Sequence, residues 1–447
     1  MAITIQQDPT TPNIANSNLV FTVTSTQYTQ AQFQYVVDIK DKNDTLIQRI
    51  KQQPNPSGKG VFDVAQILVT ELGPTDLVWE IDSATGNTAC GKEFNIYFGE
   101  EYGTSPSSSV TSYTGVGTTT GSAAVSGSDY YFNLDGNVGP NELVNWNWDS
   151  GSKYQEEEID DITFSHQFGL TNFNTHSVYL GDYATISILN GNLYGGVTAS
   201  QAQDVFAMVV TEYDSAGSTL ATTTYYNNYT HGTPASASVW GNIYTSQSES
   251  TRLIHWPAGP QNFDDAGNTL NASTTYYTCK LVAQQTDGSP NTNGVWGEYT
   301  FNIGECSGFT PLRFAWKNEY GVWDYFSFTK AQNTNASITR EQYKQTFVNF
   351  STTANTTSYS PTRRGDTQYY NEIAKDRQAN SDWLTQTDAD NLRELFFSTN
   401  VYVYEDSKWI PVVLTDASIT EKTNNLSQKV FQYSVNYRHA NEVRARV

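Results

Sequence analysis

Cysteine is nearly missing. Three in 447 residues, Cys90, Cys279 and Cys306, cannot all pair within the chain, so a disulfide scaffold is excluded and buried free thiols are expected. Cations are also few: 25 Lys and Arg stand against 46 Asp and Glu, and a net charge of -21 repels the phosphate backbone of a nucleic acid. No nucleic-acid partner is expected. No apolar run approaches the roughly 20 residues of a membrane span, so no membrane partner is expected either. The opening MAITIQQDPTTP lacks the basic and apolar regions of a signal peptide, which makes a product that stays soluble in the cytoplasm where it is made the expectation. P-loop, dinucleotide, zincin, esterase-elbow and C-x-x-C motifs are absent too, and the five histidines (His166, His176, His231, His255, His439) lack metal-ligand spacing. No catalytic, cofactor-binding or metal residue is therefore expected, and no enzyme.

What is present is strand-forming sequence, with 13% aromatic residues and a length suited to two to four domains. The expected fold class is mainly β and multidomain. Alternation over 18–24, 32–39 and 46–50, with a polar turn at Asp41 to Asp44, predicts strands and a hairpin. Asp63 is expected to cap a short helix carrying Val64, Ile67, Leu68 and Leu72, stopped by Gly73 and Pro74. Strands over 77–81 and 93–98 complete an Ig-like β-sandwich at 1–102. Residues 103–128, rich in Ser, Thr and Gly, predict a linker or exposed loop. Short Tyr-, Val- and Thr-rich runs, with turns at Asp135-Gly136, Asn190-Gly191, Ala216-Gly217 and 265–268, predict an acidic, projecting all-β sandwich at 129–305. A β-rich α+β segment follows at 306–447. It holds a hairpin turning at Asn318 to Gly321, a strand within 338–348, and one clear helix from Asp388 to Ser398 that starts on Thr387 with Asp390. Strands over 401–404, 409–414 and 430–437 close it.

Charge divides unevenly between these segments. Residues 311–447 hold 16 basic and 15 acidic side chains, a balance of +1, whereas residues 1–310 hold 9 and 31, a balance of -22. A balanced segment beside an acidic one suggests a part that packs on protein next to a part that faces water. Two alternatives to a bland surface stay open in the middle segment. Trp146, Trp148, Trp240 and Trp256 offer flat area for stacking on sugar rings, and the run Glu156 to Asp161 supplies carboxylates for calcium or glycoside chemistry. Aromatics on strands more often form core, and acidic runs more often form solvated loops. The aromatics Trp316, Trp323 and Tyr325, with Asp324, carry more apolar area than an exposed hairpin can hold, so this hairpin is expected to be structural.

Three stretches together resemble tail and baseplate-type structural proteins of tailed phages, of the kind found with marine or Bacteroidetes hosts. They are 33–39 with 55–68, 314–328 with 338–343, and 381–385 with 392–398 and the strands of 401–413; the middle segment carries none of the likeness. The resemblance implies a virion structural subunit without enzymatic activity, assembled as copies in a ring with other phage structural proteins. On that reading Arg313, Arg340, Arg363, Arg364 and Arg377 offer guanidinium contacts to acidic neighbours and form the expected assembly interface. The alternative is a carbohydrate- or receptor-binding surface protein, of a virion or secreted, with host glycans held by the middle segment.

Overall fold

The computed structural model describes residues 3–7, 9, 13–14, 19–41, 43–72, 77–86, 90–103, 112–116, 131–136, 169–189, 207–227, 253–284, 290–304, 308–346, 348–359, 361–362, 365–416, 431–441 and 444–446. The chain is mainly β and forms two compact units. Unit 1 takes Met1–Glu305 with Lys317–Tyr325, and unit 2 takes Cys306–Trp316 with Phe326–Val447.

Unit 1 begins with β1 (Ile3–Gln7), β2 (Asn13–Ile14), β3 (Val20–Ser25), β4 (Gln34–Asp41), β5 (Leu46–Gln52) and β6 (Lys59–Asp63). Helix α1 (Ala65–Leu72), β7 (Thr85–Gly86), β8 (Gly91–Glu101), β9 (Ser112–Val116) and β10 (Tyr131–Leu134) follow. The hairpin of β4 and β5 turns where its polar residues place it, because Asp41 Oδ1 accepts from the amides of Asn43 and Thr45. Asp63 begins α1 as expected: its carboxylate accepts from Ala65 N and also from Leu19 N, tying the helix start to the entry of β3. Gly73 and Pro74 lie outside the described residues. One sheet has the order β1-β3-β6, and the other β2-β10-β8-β4-β5 with β9 also on β8. Phe21, Tyr35, Val37, Leu68 and Phe98 fill the space between the sheets, which makes a β-sandwich.

Two expectations are corrected here. Residues 77–81 are no strand: the carbonyls of Val78, Trp79 and Ile81 accept from Tyr325 Oη and Asn262 Nδ2, at 2.9, 2.7 and 2.9 Å, so side chains take the place of a ladder. Within the stretch read as a linker, Ser112–Val116 is a strand antiparallel to β8. Its Tyr, Thr and Val residues suit a strand once β8 offers an edge.

The remainder of unit 1 holds β11 (Thr175–Val178), β12 (Thr185–Leu189), β13 (Ala207–Tyr213), β14 (Thr219–Tyr226), β15 (Leu253–Pro257), α2 (Pro260–Asp265), β16 (Tyr276–Gln284) and β17 (Pro290–Ile303). Five strands pair as β11-β17-β16-β13-β14, and three as β12-β15-β7. The turn at Ala216-Gly217 joins β13 to β14, with Gly217 at φ 79° and Asp214 Oδ1 accepting from Ala216 N and Ser218 N. The pair Asn190-Gly191 lies outside the described residues. Because β7 comes from the first hundred residues and pairs with β15, segments read from the sequence as two domains share a sheet and fall in one unit.

Unit 2 holds the base of the hairpin β18 (Leu312–Lys317) and β19 (Trp323–Phe328), then β20 (Asn333–Lys344), β21 (Val348–Ser351), β22 (Thr356–Tyr359) and β23 (Asp366–Asn380). Helix α3 (Gln386–Phe397), β24 (Val401–Glu405), β25 (Lys408–Leu414), β26 (Ser434–His439) and β27 (Arg444–Arg446) complete it. Its sheet runs β19-β18-β24-β25-β26-β23-β20, with β27 also on β23. Helix α3 starts earlier than its sequence suggests. Thr385, not Thr387, is the N-cap and accepts from Asp388 N, because Leu384 is held extended by paired backbone bonds with Phe431 up to that point. Ala389, Leu392 and Leu395 form its buried face.

Candidate assembly surface

The hairpin tip that belongs to unit 1 is a buried polar clamp. Asn318 N donates to Val322 O and Gly321 N to Asn318 O, closing the turn at the expected residues. Gly321 has φ 84°, and a Cβ there would lie 2.4 Å from Asp135 O, so only glycine fits. The fully buried Asp324 carboxylate accepts from Asn172 N at 3.2 Å and Asn318 Nδ2 at 3.0 Å; the same Asn318 amide donates to Leu170 O. Lys317 pairs with Asp135. Trp316, Trp323 and Tyr325 are buried as well, so the aromatic hairpin is structural.

Unit 1 also holds a pair that sequence spacing could not reveal. Ser187 Oγ lies 2.7 Å from His255 Nδ1, the arrangement of a nucleophile and its base. Both side chains are 0% exposed, and burial pushes the imidazole down to about 4. The pair is a core contact across β12 and β15. Of the tryptophans considered for sugar stacking, Trp256 is buried on β15, and Trp146, Trp148 and Trp240 lie outside the described residues, as does the acidic run 156–161. Among the described residues, no group of three or more His, Cys, Asp or Glu is placed to hold a metal ion, and no helix is long and apolar enough to cross a membrane.

The five arginines part company. Arg313 is a core residue of unit 2, 3% exposed, with Nη1 donating to Ser327 Oγ at 2.8 Å. It is not presented to a neighbour. Arg363 and Arg364 lie outside the described residues. Arg340 on β20 and Arg377 on β23 come together on one long ribbon, the antiparallel pair β20 and β23. At about 3.3 Å per residue, the twelve residues of β20 extend roughly 40 Å. Every one of the twelve is exposed.

Directly opposed residues of an antiparallel pair share a face, and neighbours along a strand alternate. One face of the ribbon therefore carries Thr334 with Arg377, Ala336 with Lys375, Ile338 with Ile373, and Arg340 with Asn371. The other carries Asn335 with Asp376, Ser337 with Ala374, Thr339 with Glu372, and Glu341 with Tyr370. Within this pair the register sorts charge, three cations on one side and three carboxylates on the other, and β27, paired with β23, sets Arg444 and Arg446 opposite Ile373 and Asn371. A bulge at Tyr369 follows, and its hydroxyl donates to Glu341 Oε2 at 2.6 Å; this bond and the nearby negative charge raise the phenol's pKa. Beyond the ribbon, the short hairpin of β21 and β22 places Val348, Phe350 and Tyr359 on one side, with Phe350 62% and Tyr359 70% exposed.

Sequence reasoning found Arg340 and Arg377 through clustered charge but missed Lys375, Glu341, Glu372 and Asp376. In the run Asn371 to Arg377 the carboxylates Glu372 and Asp376 stand at even positions and the cations Lys375 and Arg377 at odd ones, which is the signal that would have found them. No protein-family model matches this chain, and no curated protein matches it.

Proposed function

We propose that this chain is a structural virion protein of a tailed phage, a ring-forming subunit of the tail, baseplate or neck. One observation carries the reading: a ribbon roughly 40 Å long, formed by a strand with all twelve residues exposed. β23 is also paired with β26 and β27, but β20 is the last strand of its sheet, and a long open edge invites pairing with other chains. A subunit that works alone gains nothing from such an element, whereas a subunit that joins neighbours gains a contact surface. The likeness of 314–328, 338–343, 381–385, 392–398 and the strands of 401–413 to phage tail and baseplate proteins supports the same reading, since most of these residues form unit 2. Segregation of charge, near neutral in 311–447 and strongly acidic elsewhere, suits a body that is soluble outside its contacts.

Mass photometry and negative-stain microscopy of the full chain over a concentration series test the proposal. Closed rings of one defined copy number are expected. A chain that stays monomeric at every concentration, and is absent from purified virions of the phage that encodes it, removes the reading.

A further inference from the structure

We propose that the bulged end of the β20 and β23 pair is a binding site for a choline-type quaternary ammonium group, held over the tyrosines that surround Glu341. The site is separate from the assembly reading above and does not depend on it.

Register gathers the residues. Glu341 lies directly across from Tyr370, so the two share a face, and Tyr343, two residues further along β20, shares it as well. The extra residue on β23 at Tyr369 breaks the alternation, and its hydroxyl reaches Glu341 Oε2 at 2.6 Å, which sets this ring beside the same carboxylate. Three tyrosines thus surround one acidic side chain. Glu372, two residues from Tyr370, adds a second carboxylate to the face.

The fold leaves these rings open. Tyr343 is 49% and Tyr369 48% exposed, and the bond that orients Tyr369 lies at the surface, where it adds little to folding. The two ring centres are 6.1 Å apart with planes inclined at 55°, so the rings do not spend their faces on stacking against each other. A cation resting on the pair lies within about 6 Å of both centres, the range over which ring faces attract positive charge.

Charge and hydration select the ligand. The pKa of Tyr369 is raised by its bond to Glu341 and by the negative charge there, the charge that a cation would meet. Arg340 and Lys344 stand on the other face of the pair, where Lys344 lies across from Asp366. A neutral sugar would stack on one ring but make no use of the charge. A primary ammonium is strongly hydrated and needs acceptors for three donors, which ring faces do not supply. A quaternary ammonium has no donor to satisfy, and its methyl groups rest on the rings while the carboxylates balance its charge.

Titration of the full chain with choline chloride, followed by the N-methyl proton signal, tests the assignment, because ring faces shift that signal upfield. Saturable binding with a Kd on the order of 1 mM is expected. The uncharged isostere of choline, with a tert-butyl group in place of the trimethylammonium, should bind about tenfold more weakly. E341Q keeps an acceptor for Tyr369 but removes the charge, and Y343S removes a ring. Each should weaken choline binding about tenfold. Both positions are exposed, so circular dichroism and melting of the variants should match wild type. Flotation with phosphatidylcholine vesicles separates the sources of the group: co-flotation that E341Q reduces points to a lipid head group, and choline binding without co-flotation points to a soluble carrier, and either result supports the site. Choline that fails to saturate, an isostere that binds equally well, folded variants that bind as wild type does, or methyl glucoside that binds more tightly than choline overturns it.

Discussion

At the residue scale, burial decides what a side chain does more than its chemical type. Ser187 and His255 have the atoms of a catalytic pair, yet at 0% exposure they act as a hydrogen bond between strands. The imidazole, pushed to about 4 by burial, binds its proton far less readily than the 6.5 expected in the unfolded chain. Between these values the unfolded state holds more protons than the folded one, so stability falls as pH drops from 6.5 towards 4. The contribution is on the order of 3 kcal/mol. H255Q should flatten that part of the stability curve in urea titrations at pH 4, 5, 6 and 7; an unchanged slope would show that the imidazole binds its proton as readily in the fold as in the unfolded chain. Trp323, fully buried, anchors the hairpin, and Trp323→Ala should cost about 3 to 5 kcal/mol in the same titrations. Cys90 and Cys279 are free, buried thiols, as their scarcity implied, with burial raising the first to about 12. Neither should react with a thiol reagent until the chain unfolds.

At the scale of elements, a short hairpin and a long strand pair take opposite routes. In β18 and β19, aromatic residues and the Asn318 and Asp324 clamp bury nearly every side chain. In β20 and β23, residues of modest size and sorted charge leave the strand open. The end hairpin of β21 and β22 adds exposed Phe350 and Tyr359. Replacing both by Ser should leave the melting temperature of the free chain within about a degree or two, because exposed side chains contribute little to folding. If these rings help to hold neighbours, the same double variant lowers the yield of assembled particles in sedimentation velocity.

For the whole molecule, the division into units does not follow chain order. Nine residues, Lys317–Tyr325, belong to unit 1 although they lie beyond Glu305. A fragment of residues 1–305 therefore lacks Asp324, which accepts from Asn172 N, and Lys317, which pairs with Asp135. Such a fragment should melt well below the corresponding transition of the full chain in calorimetry, or fail to stay soluble. An identical transition would mean that unit 1 is complete without the hairpin tip.

Local patterns in the sequence were enough for whatever depends on near neighbours. The turn at Asp41, the cap at Asp63, the turn at Gly217, the tight turn of Asn318 to Gly321 and most strands follow from alternation, short polar side chains and glycine. Mainly β architecture followed from the same signals. What they could not carry were pairings between distant segments, since the partner of a strand edge or of a buried polar atom is set by tertiary contact and leaves no mark on local periodicity. So 77–81, a strand by composition, became a set of carbonyls serving Asn262 and Tyr325, and β7 and β15 tied two expected domains into one unit. The expected interface divided for the same reason. Arg313 and Arg340 look alike in sequence, and only the strand each occupies sends one into the core and the other to the open face of a ribbon.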